Sequence, residues 1–314
     1  MSGYLTLLAL GSVCSRQVPQ DWTHGRPKES ARVTVEYVLS FGRVGNAPGG
    51  FNHPCGISVD ARGYLYVADT GNDRVQKFDS RGRFLAEAGG FGWDRHQFNR
   101  PVDVCVRPDL DVLVADAQNK RIQRFDERLN LVATVEGPAG EEPEWGILSG
   151  LAVSRYGDLY VADEENDQIL KVDPFGRPDL SFGGIGNVRG DLRDPRGLAV
   201  APDGTIYVCD SGNGRVVQLD PFGDVLEAFG DEVLSAPWGV DVGPSGYVFV
   251  ADAERHQVLV FDERRRLVQR IGAEGSGPGS FRSPCDLAVD SEGYLYVLDS
   301  GNARVQKFRI EGTR

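Results

Sequence analysis

Tyr64-Leu65-Tyr66-Val67-Ala68-Asp69 is a short apolar run closed by a carboxylate. It returns as Val112-Leu113-Val114-Ala115-Asp116, Leu159-Tyr160-Val161-Ala162-Asp163 and Ile206-Tyr207-Val208-Cys209-Asp210. Val248-Phe249-Val250-Ala251-Asp252 and Leu295-Tyr296-Val297-Leu298-Asp299 complete the set. The closing aspartates stand 47, 47, 47, 42 and 47 positions apart. Self-similarity at a fixed period of roughly 20–50 residues marks a repeat architecture. A proline lies 15 residues before the aspartate in five units, at Pro54, Pro101, Pro195, Pro237 and Pro284, and Leu148 holds that place in the third.

After the proline comes a segment such as Gly56-Ile57-Ser58-Val59-Asp60, whose aliphatic residues are two apart, the period of a strand. A glycine turn leads to the aspartate-ending strand. A third strand comes next, as in Arg74-Val75-Gln76-Lys77-Phe78-Asp79, and then a fourth, as in Arg83-Phe84-Leu85-Ala86-Glu87. Four short antiparallel strands make one propeller blade. The sixth unit stops after its third strand, at Val305-Gln306-Lys307-Phe308, while Tyr37-Val38-Leu39-Ser40-Phe41-Gly42 precedes the first unit. The reading is an all-β, six-bladed β-propeller over residues 33–314. The N-terminal strand completes the last blade, closes the ring and removes two exposed sheet edges.

These residues resemble NHL repeats. The pattern Pro-x-Gly-Ile/Leu-x-Val, then Gly-x-Leu-Tyr-Val-x-Asp, then x-Gly-Asn-x-Arg-Val-Gln-x-Phe is nearly complete over residues 51–79 and 281–308. The resemblance implies the propeller fold and leaves several roles open. NHL propellers serve as substrate- or RNA-binding modules of ubiquitin-ligase-like proteins. They also form the fold of peptidyl-amidating lyases, which use histidine-ligated metal near the channel mouth. A shared fold does not choose among these roles.

Composition agrees with many short strands joined by tight turns: 40 of 314 residues are glycine, about one in eight, against a typical ~7%. Net charge is −12, which opposes a phosphate backbone, so no nucleic-acid partner is expected. Five widely spaced cysteines without a Cys-x-x-Cys pair argue against a disulfide framework or a structural zinc site. Residues 1–32 read as a separate leader, signal-like or disordered. Its apolar run Leu5 to Leu10 falls far short of the ~20 residues of a membrane span. A periplasmic or secreted location is placed ahead of the cytoplasm, and the molecule is expected to be monomeric.

In a four-stranded meander the turn between strands two and three shares a face with the link to the next blade. That face carries the longest loops and is the candidate binding face. The repeated Asp69, Asp116, Asp163, Asp210, Asp252 and Asp299 are read as fold maintenance. Departures from the repeat point to function instead. The residue after the landmark proline, which opens the innermost strand, is Cys55, Val102, Ser149, Arg196, Trp238 or Cys285. The next is glycine except at Asp103 and Asp286. Cys55, Asp103, Arg196, Trp238, Cys285 and Asp286 are therefore the candidate ligand-binding residues at the channel mouth. The competing reading is a wet mouth that tolerates varied residues. Cys55 and Cys285, in different blades, are expected to be too far apart for a disulfide.

His53, Trp93, His96, Trp145 and His256 map to loops of the same face. No histidine lies on an innermost strand or has a second at ligand spacing, so no metal, cofactor or catalytic residue is assigned. The leading expectation is a non-enzymatic module or scaffold for a protein, peptide or glycan, anchored by Trp93, Trp145 and Trp238. The alternatives are a metal-dependent propeller lyase or hydrolase, and the substrate-recognition module of a ubiquitin-ligase-like assembly.

Overall fold

The computed structural model describes residues 33–109, 111–137, 145–173, 177–183 and 191–312. The expected leader, with Cys14 and His24, lies outside these residues. The first strand, β1 (Thr34–Phe41), is followed by blade 1: β2 (Gly56–Val59), β3 (Leu65–Asp69), β4 (Arg74–Phe78) and β5 (Phe84–Gly89). Blades 2 to 5 repeat the order. They run from β6 (Pro101–Val106) to β9 (Leu131–Glu136), from β10 (Leu148–Val153) to β13 (Pro178–Gly183), from β14 (Pro195–Val200) to β17 (Val225–Phe229), and from β18 (Pro237–Val242) to β21 (Leu267–Ile271). Blade 6 holds β22 (Pro284–Val289), β23 (Tyr294–Asp299) and β24 (Arg304–Glu311). Its fourth strand is β1, in sheet order β1-β24-β23-β22. The two chain ends pair antiparallel from Thr34↔Glu311 to Phe41↔Val305. The ring is closed by strand pairing, as the repeat count requires.

The second strand is wholly buried in blades 1 to 5 and all but its first residue is in blade 6, and its alternation explains why the sequence shows a continuous apolar run. Successive side chains of a strand point to opposite faces. Leu65 and Val67 of β3 pack with Tyr296, Leu298 and Val305 of blade 6. Tyr66 and Ala68 turn the other way, onto Val104, Val112 and Val114 of blade 2. Each of the six core clusters joins two neighbouring blades in this manner.

Each closing aspartate is fully buried and organises its turn. Asp69 accepts hydrogen bonds from Asn52 N at 2.7 Å, Asn72 Nδ2 at 2.8 Å, Arg74 Nε at 2.8 Å and Gln76 Nε2 at 3.0 Å. The arginine then uses its remaining donors on the link between blades. Arg121 donates to the carbonyls of Trp93, Asp94 and Gln97, and Arg304 to those of Ser276, Gly277 and Ser280. Turn and link are thus held together on one face.

On the opposite face, lysines join the blades. Lys77 Nζ lies 4.5 Å from the Tyr64 ring centroid and donates to Glu127 O of blade 2 at 2.6 Å. Lys307 repeats the joint from blade 6 to blade 1, 3.8 Å from the Tyr294 centroid and 3.3 Å from Ser80 O. Desolvation holds both ammonium groups below their ordinary range.

Two of these hubs differ chiefly by one charge. Asp116 and Asp163 are both buried and each receives one amide from the link, an asparagine and a glutamine, but Asp116 also holds buried Arg121 where blade 3 has Gln168. Removing one partner of a buried ion pair costs about 3–5 kcal/mol, whereas an orphaned neutral donor costs about 1–3 kcal/mol. Asp116→Ala is therefore expected to lower the thermal midpoint more than Asp163→Ala, as measured by calorimetry.

Candidate functional site

The six innermost strands, β2, β6, β10, β14, β18 and β22, surround the axis. They approach closely: a Cβ added at Gly56 would lie 2.5 Å from Asp103 Cα, and one at Gly239 2.6 Å from Asp286 Cα. That contact explains why this position is glycine in four blades. In the other two an aspartate reaches across the joint. Asp103 accepts from Val104 N on its own strand and from Leu151 N of blade 3, both at 2.7 Å. Asp286 accepts from Ile57 N of blade 1 at 2.7 Å. A third such pin is not among the residues expected from sequence. Asp241, two residues further along β18, accepts from Val242 N and from Val289 N of blade 6, both at 2.7 Å. Its signal is a carboxylate where the equivalent residues are Ser58, Cys105, Ala152, Ala199 and Ala288.

These carboxyls line a channel cavity of about 270 Å³ together with Cys55, Ser149, Trp238 and Cys285. Burial pushes Asp103 up to about 7 and Asp241 up to about 6, against the pull of the amides. Asp286 is likewise raised well above the usual carboxylate range, by burial and then by the charge of Asp103.

Above the channel, on the link face, lies a second cavity of about 160 Å³. All six blades contribute to it: Cys55 from blade 1, Arg100 and Gln118 from blade 2, Ser149 and Glu164 from blade 3, Arg196 from blade 4, Trp238 from blade 5 and Cys285 from blade 6. The Arg196 guanidinium sits 4.8 Å from the Trp238 ring centroid and 3.3 Å from Glu164. Ser149 Oγ donates to Pro195 O at 2.6 Å, and Cys285 Sγ to Pro54 O at 3.2 Å. Burial raises Glu164 above its usual range and pushes both the Cys55 and Cys285 thiols up. They are held as thiols, not as nucleophilic thiolates, and all four described cysteines are free.

The structure therefore divides the six expected mouth residues. Cys55, Arg196, Trp238 and Cys285 line the mouth cavity, while Asp103 and Asp286 belong to the channel beneath it and join Asp241 there. Arg100, Gln118 and Glu164 are additional lining residues. Trp145 is a correction: it is 4% exposed and packs with Leu113, Ile122 and Leu170 in the core between blades 2 and 3. It takes the place held by Phe51, Phe98 and Phe281 in other repeats, so its bulk fills a joint and offers no anchor. Trp93 is 67% exposed and forms an edge-on pair with Phe91, centroids 5.1 Å apart.

The three described histidines occupy separate repeat positions of left-handed backbone, with φ of 46° at His53, 69° at His96 and 56° at His256. His256 Nδ1 accepts from Ser283 N at 2.9 Å, the service that Asp73 gives Arg100 N and Asp167 gives Asp194 N. Among the described residues no three His, Cys, Asp or Glu side chains form a metal-ligating group, and no helix is long and apolar enough to cross a membrane.

The NHL repeat family matches residues 51–78, 98–125 and 192–219, and a family described as a 6-bladed beta-propeller matches 244–314. The chain is an NHL-repeat β-propeller. Its curated relatives include lin-41 of Caenorhabditis elegans, 46% identical over 50 residues, which are 16% of this chain and 4% of that protein. Brain tumor of Drosophila melanogaster is 41% identical over 58 residues, 18% of this chain and 6% of the relative. The E3 ubiquitin-protein ligase TRIM71 of Rattus norvegicus is 49% identical over 47 residues, 15% and 6% of the two chains. The matched stretch of this NHL chain thus spans only a small part of each relative. Among solved structures, a Bacteroides thetaiotaomicron protein of unknown function superposes with a TM-score of 0.69 at 15% identity, covering 89% of this chain and 76% of that one. Virginiamycin B lyase from Staphylococcus aureus superposes at 0.61 and 12% identity, covering 88% and 99%. At such identities the likeness is one of fold.

The raised channel carboxyls have a direct consequence for stability. Their folded values lie above the ~3.9 of a free aspartate, so the native protein binds more protons than the unfolded chain between about pH 4 and 7. This contribution is fully present below that window and is lost as pH rises through about 6 and then about 7. The thermal midpoint is expected to fall between pH 5 and 8, and an Asp103→Asn/Asp241→Asn double variant to flatten that fall, read by melts across the pH series.

Proposed function

We propose that this propeller is a non-enzymatic binding module that takes a polypeptide partner on the link face. One observation carries the reading: the exposed Phe91–Trp93 pair and the half-buried Trp238 at the mouth cavity open onto the same face. Aromatic and arginine side chains are enriched at protein contacts and dominate their energetics. The opposite face spends Lys77 and Lys307 on blade joints. There Tyr156 and Phe222 are exposed on turns of different blades.

Two further considerations favour a polypeptide. Several relatives are E3 ubiquitin-protein ligases, enzymes that act on proteins. A net charge of −12 works against a nucleic-acid backbone. A catalytic role finds little support in the channel, because the oxygens of Asp103 and Asp241 are engaged by backbone amides as joints between blades.

The test is selection of peptides from a displayed random library on the immobilised protein, followed by affinity measurement against variants. Phe91→Ala/Trp93→Ala is expected to weaken the selected peptides about tenfold or more, the scale of an interface hot spot, and Phe222→Ala on the other face to leave them unchanged. The reverse pattern would place the binding face on the other side of the ring.

A further inference from the structure

The mouth cavity holds an imbalance of charge. Two guanidiniums, Arg100 and Arg196, and one carboxylate, Glu164, line it. Glu164 is paired with Arg196. The Arg100 backbone N–H donates to Asp73, but its guanidinium has no hydrogen-bond or ion-pair partner among the described residues. It nevertheless acts on the site, since its charge lowers both the Cys55 thiol and the Glu164 carboxyl. Arg100 thus brings a second cation to the rim of a cavity with apolar walls, in a chain of net charge −12. Low-dielectric walls focus such a local field on an incoming anion.

The rest of the lining describes the body that would carry the anion. Val102, Ala117, Leu148, Cys55 and Cys285 form apolar wall, and Trp238 presents a ring already stacked by Arg196. A volume of about 160 Å³ suits one side chain and excludes a folded domain. Guanidinium groups hold carboxylates through paired N–H donors. Gln118, exposed at the same rim, offers a further donor. Glu164 occupies the neighbourhood of Arg196 as an internal carboxylate, in the place an external one would take.

Resting on the link-face reading, we propose that the mouth cavity is the subsite that captures a carboxylate of the bound polypeptide, with Arg100 and Arg196 as its anchors and Trp238 as the wall for the adjoining apolar group. The carboxylate comes either from a chain terminus or from an acidic side chain. The two sources share the same chemistry and differ only in whether the chain continues beyond the residue that bears it.

Three probes separate them by calorimetry on the full chain: acetyl-Ala-Ala-Phe with a free C-terminus, acetyl-Ala-Phe-Glu-Ala-amide, and the neutral acetyl-Ala-Phe-Gln-Ala-amide. At least one acidic probe is expected to bind about tenfold tighter than the neutral one, and which of the two does so names the source. Arg100→Gln is expected to erase that advantage. Glu164→Gln, which frees Arg196, is expected to increase it severalfold. Arg100 is exposed and Glu164 is partly so, and melting curves confirm that both variants fold. Equal binding of acidic and neutral probes, or an advantage that survives Arg100→Gln, overturns the proposal. The library-selected peptides keep the two readings apart. Loss of their binding in Phe91→Ala/Trp93→Ala with no loss in Arg100→Gln rejects the carboxylate subsite and leaves the binding face standing. No loss in either variant rejects both.

Discussion

The pairing of β1 with β24 is the constraint on which this molecule depends. Strands from opposite ends of the chain complete one sheet, and only then does each blade have two neighbours. Every apolar cluster is shared between blades. An open ring would split the cluster shared by blades 6 and 1 and leave two sheet edges unpaired. Closure also creates the channel and its mouth, because neither exists on any single blade. The candidate site is thus a product of the ring as a whole.

Within that frame the same residue type carries two unlike tasks. The repeated aspartates stay buried because backbone amides and, in most blades, an asparagine and an arginine surround them, and those arginines go on to shape the links that form the binding face. The channel aspartates are half-buried, facing the channel, and have only backbone amides as partners. Their charge is poorly compensated, so their carboxyls are raised, and they hold adjacent blades at a cost that grows with pH. Sequence context separates the two groups: the first recurs six times, and the second breaks the pattern three times.

The breaks in the repeat are not equally readable. Asp103 and Asp286 stand out against glycine at one register position. Asp241 stands out less, because the position two residues later already varies among serine, cysteine and alanine. Trp145 shows the opposite case. A large aromatic in a loop reads as an anchor until its alignment with Phe51, Phe98 and Phe281 shows that it plugs the same joint. The histidines likewise draw attention by residue type, while their register assigns them to left-handed turn positions that Asp73, Gly49 or Ser283 fill elsewhere.

Sequence alone determined the number of blades, the strand order within each, the strand that closes the ring and the face on which turns and links meet. These derive from period, alternation and turn chemistry, all local or regularly repeated along the chain. Only the tertiary structure decided that the mouth and the channel are separate cavities, that Arg196 lies between Glu164 and Trp238, and that the Arg100 guanidinium has no ion-pair partner among the described residues. Those relations join residues of four different blades. Their distances depend on how closely the innermost strands approach the axis, and no spacing along the chain encodes that.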